Sequence, residues 1–245
     1  MILAIARREW QASFLSAQAW TLLAASQLIL AWIFLRLLEG FSGLEIAQRK
    51  VGITLELSVN LFSFAAMLML LSVPLLSMRM LSGELREGTF NLLGSAPVTL
   101  TQILLGKFLG LAGLVVAMGS LPLLLSLALG FSTHLDLGLL ASATLGVWLA
   151  GLTFSAVGLF ASSLTAQPGL AAVASYGILV LMSVINRSGD TWTQTATLFD
   201  WLSWNEHLFW LLHGILRMSD LLYFLLFTVF FLALAHRRLA NRRLD

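Results

Sequence analysis

Glu206 and His213, seven residues apart with Asn205 beside them, are the side chains best suited to hold a metal ion or pass a proton. Two such ligands without a third carboxylate or imidazole at helical spacing do not complete a metal site. The pair reads instead as the polar edge of a helix at a membrane surface. His134 and Asp136 mark a turn between two apolar runs. Ser155, Ser162 and Ser163 offer hydroxyls for nucleophilic chemistry, but no histidine lies near them in sequence. Hydroxyls in apolar helices more often bond the preceding turn. Gly106-Lys107 has the glycine-lysine step of a phosphate loop, but Phe108 follows and the upstream glycine is missing, so it does not cradle a nucleotide that way. The chain has no cysteine, hence no thiolate site and no disulfide. The expectation is a non-catalytic chain with no metal site and no cofactor of its own.

The elements that carry these residues belong to a membrane. Of 245 residues, 59% are hydrophobic and 11% charged, against roughly 25% charged in an average soluble domain. Whole stretches longer than one bilayer crossing carry no charge, so lipid is the solvent for most of the surface. A net charge of +2, with arginines at the ends of apolar runs, excludes a nucleic-acid stripe.

Charge-free runs at 10–35, 57–78, 108–135, 137–186 and 221–236 mark the spans. The fourth is 50 residues long, more than twice the roughly 20 that cross a bilayer, and Gln167-Pro168-Gly169 divides it. The expectation is an all-α integral membrane fold, one domain over 1–245, with six spans near 20–38, 57–78, 106–130, 137–163, 168–186 and 219–236. The first run is 26 residues, too long for the roughly 7 to 15 apolar residues of a signal core, so it reads as a retained anchor. Before the first span proper, which starts near residue 20, Ile2, Leu3, Ile5, Trp10 and Phe14 alternate with Arg7, Arg8, Glu9 and Gln11. That pattern predicts an amphipathic helix lying on the membrane, the alternative being a basic flank that only sets topology.

Six crossings put both ends on one side. That side collects Arg7, Arg8, Arg79, Arg86, Lys107, Arg237, Arg238, Arg242 and Arg243, nine in all, against five on the other. The positive-inside rule makes both termini cytoplasmic. The outer loop 187–218 holds Trp192, Trp201, Trp204 and Trp210, half of the eight tryptophans. Tryptophan favours the headgroup level, so short helices there are expected at the outer interface before the last span. Gly106 and Gly110 form a G-x-x-x-G, and Gly146, Ala150, Gly151, Ser155 and Gly158 line helix four with small residues. Both allow close helix approach, within one subunit or between two.

The cytoplasmic segment 79–107 is punctuated like a short helix. Gly88-Thr89 opens it, Phe90, Leu92 and Leu93 form its apolar side, Gly94 caps it and Pro97 stops it. Thr99 and Gln102 then make a capping box for the next span. A short capped helix fixed to two spans transmits displacement rather than absorbing it, the alternative being a solvated loop.

This arrangement resembles the permease subunits of ABC-2 type transporters, in Arg79, Glu84, Gly88-Thr89, Leu92-Leu93, Pro97-Val98 and Gly106-Lys107. Arg8-Glu9-Trp10 with Phe14, Ser16 and Ala17 is similar to the start of the family's interfacial helix. Within the family the chain looks most similar to gliding-motility-associated permeases. The likeness covers about residues 5–110, with departures at Gly83, Asn91 and Gly94.

The resemblance implies a cytoplasmic ABC ATPase that binds ATP and Mg in a separate chain. It also implies a second permease subunit, identical or related, in a bacterial inner membrane, and admits an accessory protein on the outer side. The coupling residues it implies are Arg79, Glu84, Arg86, Glu87, Gly88, Thr89, Phe90, Leu92, Leu93, Pro97 and Lys107, with Arg7, Arg8, Glu9 and Trp10 on the interfacial helix. The rival expectation is a non-transporting scaffold for envelope or motility components, held by the tryptophan-rich outer loop.

Overall fold

The computed structural model describes residues 2–43, 52–88, 99–131, 133–184 and 201–242. The described residues form eight helices, counting Ile53–Glu87 as one. Helix α1 (Ile2–Leu15) turns a corner at Ser16. The Ser16 hydroxyl donates to the Ser13 carbonyl at 2.7 Å and accepts the Ala19 N–H at 3.2 Å, closing one helix and starting the next. Helix α2 (Ala17–Gly43) follows.

Helix α3 (Ile53–Glu87) contains a π-helical turn at Leu57–Leu61 and Pro74 in its interior. Proline removes a backbone donor and disturbs the preceding turn, and neighbours supply donors to the carbonyls around it. Tyr176 O–H donates to the Leu71 carbonyl, and Gln18 Nε2 donates to that of Leu75 at 3.1 Å. Nothing in the sequence stops α3 at residue 78. It runs on to Glu87 and ends at Gly88, whose φ of 71° is the left-handed conformation that glycine adopts without strain. Arg79, Glu84, Arg86 and Glu87 thus belong to the span's own helix, and Gly88 terminates that helix.

Helix α4 (Leu100–Leu127) starts at the predicted capping box: Thr99 accepts the Gln102 N–H and the Gln102 side chain accepts that of Thr99. A 3-10 turn, Ala128–Phe131, extends it. Asp136 caps α5 (Leu137–Leu164) by accepting the Leu139 N–H. Then come α6 (Pro168–Val184), α7 (Trp204–Leu212) and α8 (Met218–Arg242).

Five helices are long and apolar enough to cross a membrane: α2, α3, α4 with its 3-10 extension, α5 and α8. Helix α6, at 17 residues, is about 25 Å long, short of the roughly 30 Å hydrocarbon core. Leu225, Leu226, Val229 and Phe230 lie exposed along α8, as do Leu28 and Trp32 on α2. This is the inside-out surface of a chain solvated by lipid.

Helix α5 is the central element, because its small residues admit neighbours. A Cβ on Gly151 would lie 2.6 Å from Val115 of α4, one on Gly158 would meet Ser77 of α3, and one on Gly146 would lie 2.9 Å from Leu211 of α7. Close backbone approach of this kind, with dispersion as the attraction, is how helices associate in lipid. A second, smaller core gathers Leu81, Leu100, Leu104, Leu159, Ala235 and Leu239. It joins the ends of α3, α5 and α8 to the start of α4. The bundle therefore has a terminal end, near α1 and the close of α8, and a far end carrying α7.

Candidate functional site

At the terminal end a lysine is buried. The capping box fixes the first turn of α4 at Leu100, which sets Lys107 two turns inside the helix, 3% exposed. A lysine ammonium out of water costs several kcal/mol unless it is paired, and two carboxylates pair it. Glu9 Oε1 of α1 accepts at 2.9 Å and Glu84 Oε1 of α3 at 2.7 Å. One side chain thus ties three helices.

Glycines bring Glu9 within reach. A Cβ on Gly106 would lie 2.6 Å from Ile5 Cγ2, one on Gly110 2.6 Å from Glu9 Cβ, and one on Gly113 2.6 Å from Trp10 Nε1. Helix α1 therefore lies directly on the backbone of α4. The G-x-x-x-G serves packing within the chain, between α4 and α1.

A cleft of about 740 Å³ opens beside the triad, edged by Arg79, Arg86 and Glu87 of α3 and by Pro168 and Gly169 of α6. Both signs of charge face it. Among the described residues that line it there is no nucleophile–base pair. Any force that shifts the end of α3 must carry α1 and α4 with it or part a buried ion pair.

Among the other expected site residues, Arg7 and Arg8 are exposed, and Trp10 meets Phe14 edge-on at 5.6 Å. Thr89, Phe90, Leu92, Leu93, Pro97 and Trp192 lie outside the described residues. At the far end Trp201 is about half exposed. Trp204 is buried, edge-on to Phe154 at 5.1 Å, with its N–H 3.4 Å from the Leu179 carbonyl. It is a core residue of the bundle. Trp210 lies under the Arg217 guanidinium at 3.5 Å and donates to Glu206 at 3.1 Å. His213 bonds the Phe209 carbonyl through Nδ1 at 2.8 Å. Glu206 and His213 thus each have a local partner. Among the described residues no three His, Cys, Asp or Glu gather as a metal site.

Ser155 and Ser163 bond their own helix. Ser162 does not. Its hydroxyl accepts the N–H groups of Leu81 and Ser82 at 3.1 and 2.9 Å and donates to the Met78 carbonyl at 2.9 Å. It thus bonds α5 to the backbone of α3 just before Glu84. No local pattern in the sequence signals this contact or the buried pair between His207 and Asp220, since neither is local.

The ABC-2 family transporter protein model matches residues 3–244. The chain belongs to the ABC-2 transporter family. No curated protein matches it. An ABC-2 chain is the multi-pass membrane component of an ABC transporter, generally not catalytic by itself, and the family implies a partner ATPase.

Proposed function

We propose that this ABC-2 chain is a permease subunit of six spans, both termini cytoplasmic, in a bacterial inner membrane. A separate ATPase docks at the segment 79–107, binds ATP and Mg, and drives export or force transmission. The observation that carries this reading is Lys107, buried between Glu9 and Glu84. A lipid-embedded bundle has little use for an ion triad unless that end must move as a unit. The nine cationic residues on this side of the chain support its cytoplasmic placement.

The sixth crossing is α6. Its first residues edge the Glu84 cleft, and its last ones meet α7 at the far end. Interfacial placement of α1 is supported by its lack of any buried residue and by exposed Leu3, Trp10 and Leu15. Pairing with a second permease, the gliding-motility relationship and an outer accessory protein complete the reading as its finer parts.

The test is co-expression with the ATPase encoded beside it. Glu84→Lys is expected to lower recovery of the ATPase and its turnover by at least about tenfold, and Glu84→Lys with Lys107→Glu to restore part of both. Full complex and turnover in Glu84→Lys would exclude coupling through this joint.

A further inference from the structure

Helix α7 is nine residues long, about 13 Å, yet it is bonded to four of the crossing helices. Its closing carbonyls accept hydroxyls from two of them: Leu212 from Ser58 of α3, and Leu211 from Ser142 of α5 at 2.8 Å. Asn205 donates to Ser183 of α6 at 2.7 Å. The fourth attachment is ionisable. His207 Nδ1 lies 2.7 Å from Asp220 Oδ1 at the start of α8, with the two residues 5% and 2% exposed.

The hydrogen count of that contact is fixed by its neighbour. His207 Nε2 lies 2.9 Å from the Trp201 carbonyl, which can only accept, so Nε2 donates. A bond at 2.7 Å between Nδ1 and Oδ1 then holds one hydrogen between two heteroatoms. Tyr223 stacks on the imidazole, its centroid 4.0 Å away, and donates to the Leu202 carbonyl at 2.7 Å. Ionisable groups buried this far from water are costly unless paired. Here they fasten a short helix that Trp204, Leu208, Leu211 and Leu212 already seat in the apolar core.

The geometry points to α7 as a movable closure at the far end of the bundle, with His207–Asp220 as the latch that holds it shut. This rests on the permease reading for what the closure controls. The far ends of α3, α5, α6 and α8 cannot separate while α7 bridges them. Opening therefore begins with the bond between α7 and α8, and Asp220 is a positioning residue for α7.

The chain's lack of cysteine makes the test direct. Ser203→Cys, a near-isosteric change at a fully buried position just before α7, is labelled in the full chain with a membrane-impermeant maleimide. Ser155→Cys, buried inside α5, reports general loosening. Asp220→Leu is expected to speed labelling at position 203 by about tenfold or more and leave position 155 unchanged. Asp220→Asn can still donate to Nδ1 and should stay within about threefold of the parent. In the ATPase complex, an ATP analogue should speed labelling at 203 in the parent. No acceleration with Asp220→Leu, equal acceleration at both cysteines, or no response to the analogue overturns the latch. The first two readings need no ATPase, so loss of the ATPase complex sinks the permease reading separately.

Discussion

Lys107 concentrates the energetics of the terminal end in one ammonium. Removing one member of a buried ion group leaves its partners desolvated without compensation, which costs roughly 3–5 kcal/mol. Lys107→Ala leaves Glu9 and Glu84, each bonded to the same nitrogen, as two like charges around a void. We predict that it destabilises the chain by about that amount, read as a lowered midpoint of thermal aggregation in detergent. Lys107→Met combined with Glu9→Gln and Glu84→Gln removes the charges together and is expected to recover most of the loss. The recovered triple variant should still fail to couple, because its three helices are no longer tied by ions.

Between α1 and α4 the decisive atoms are absent ones. Gly110 admits the Cβ of Glu9, which is close to the backbone of α1 and cannot swing aside as a long side-chain tip would. Gly110→Val should lift α1 off α4 and part Glu9 from Lys107, while Gly83→Ala, with nothing within 4 Å of the added carbon, should be silent. Spin labels on exposed Leu3 and Leu109 are expected to move apart by several ångström in the first variant alone. An unchanged distance would show that the glycine stripe does not seat α1.

Taken whole, the molecule is a bundle whose two ends have different chemistry. The Lys107 ion triad joins helices at the terminal end, alongside the Ser162 hydroxyl, whereas the far end has hydroxyl–carbonyl bonds and the His207–Asp220 pair. Under the six-span reading these ends face opposite aqueous phases. Glu87→Cys, at the exposed close of α3, and Leu216→Cys, exposed between α7 and α8, should therefore label from opposite sides of sealed vesicles. Labelling of both from one side is the result that would reverse the order of crossings built on α6.

Much of this was legible in the chain itself, because lipid imposes simple rules on composition. Charge-free length announces a crossing, and the capping box at Thr99 and Gln102 is written in adjacent residues, so both were readable. The close of α3 was not, because Gly88 serves a helix start or a helix end equally well until packing decides. Here the burial of Leu81 in the second core carries the helix on to Glu87. Glu84 and Lys107 stand out in the sequence as residues of the coupling segment, and Glu9 separately as one of the interfacial helix. That they meet at one nitrogen follows from the glycine stripe of α4 accepting α1, and His207 meets Asp220 only because α7 folds back onto α8. Local pattern determines which segments are helices in lipid, but buried polar groups find their partners across the bundle, and those pairings exist only once the helices are packed.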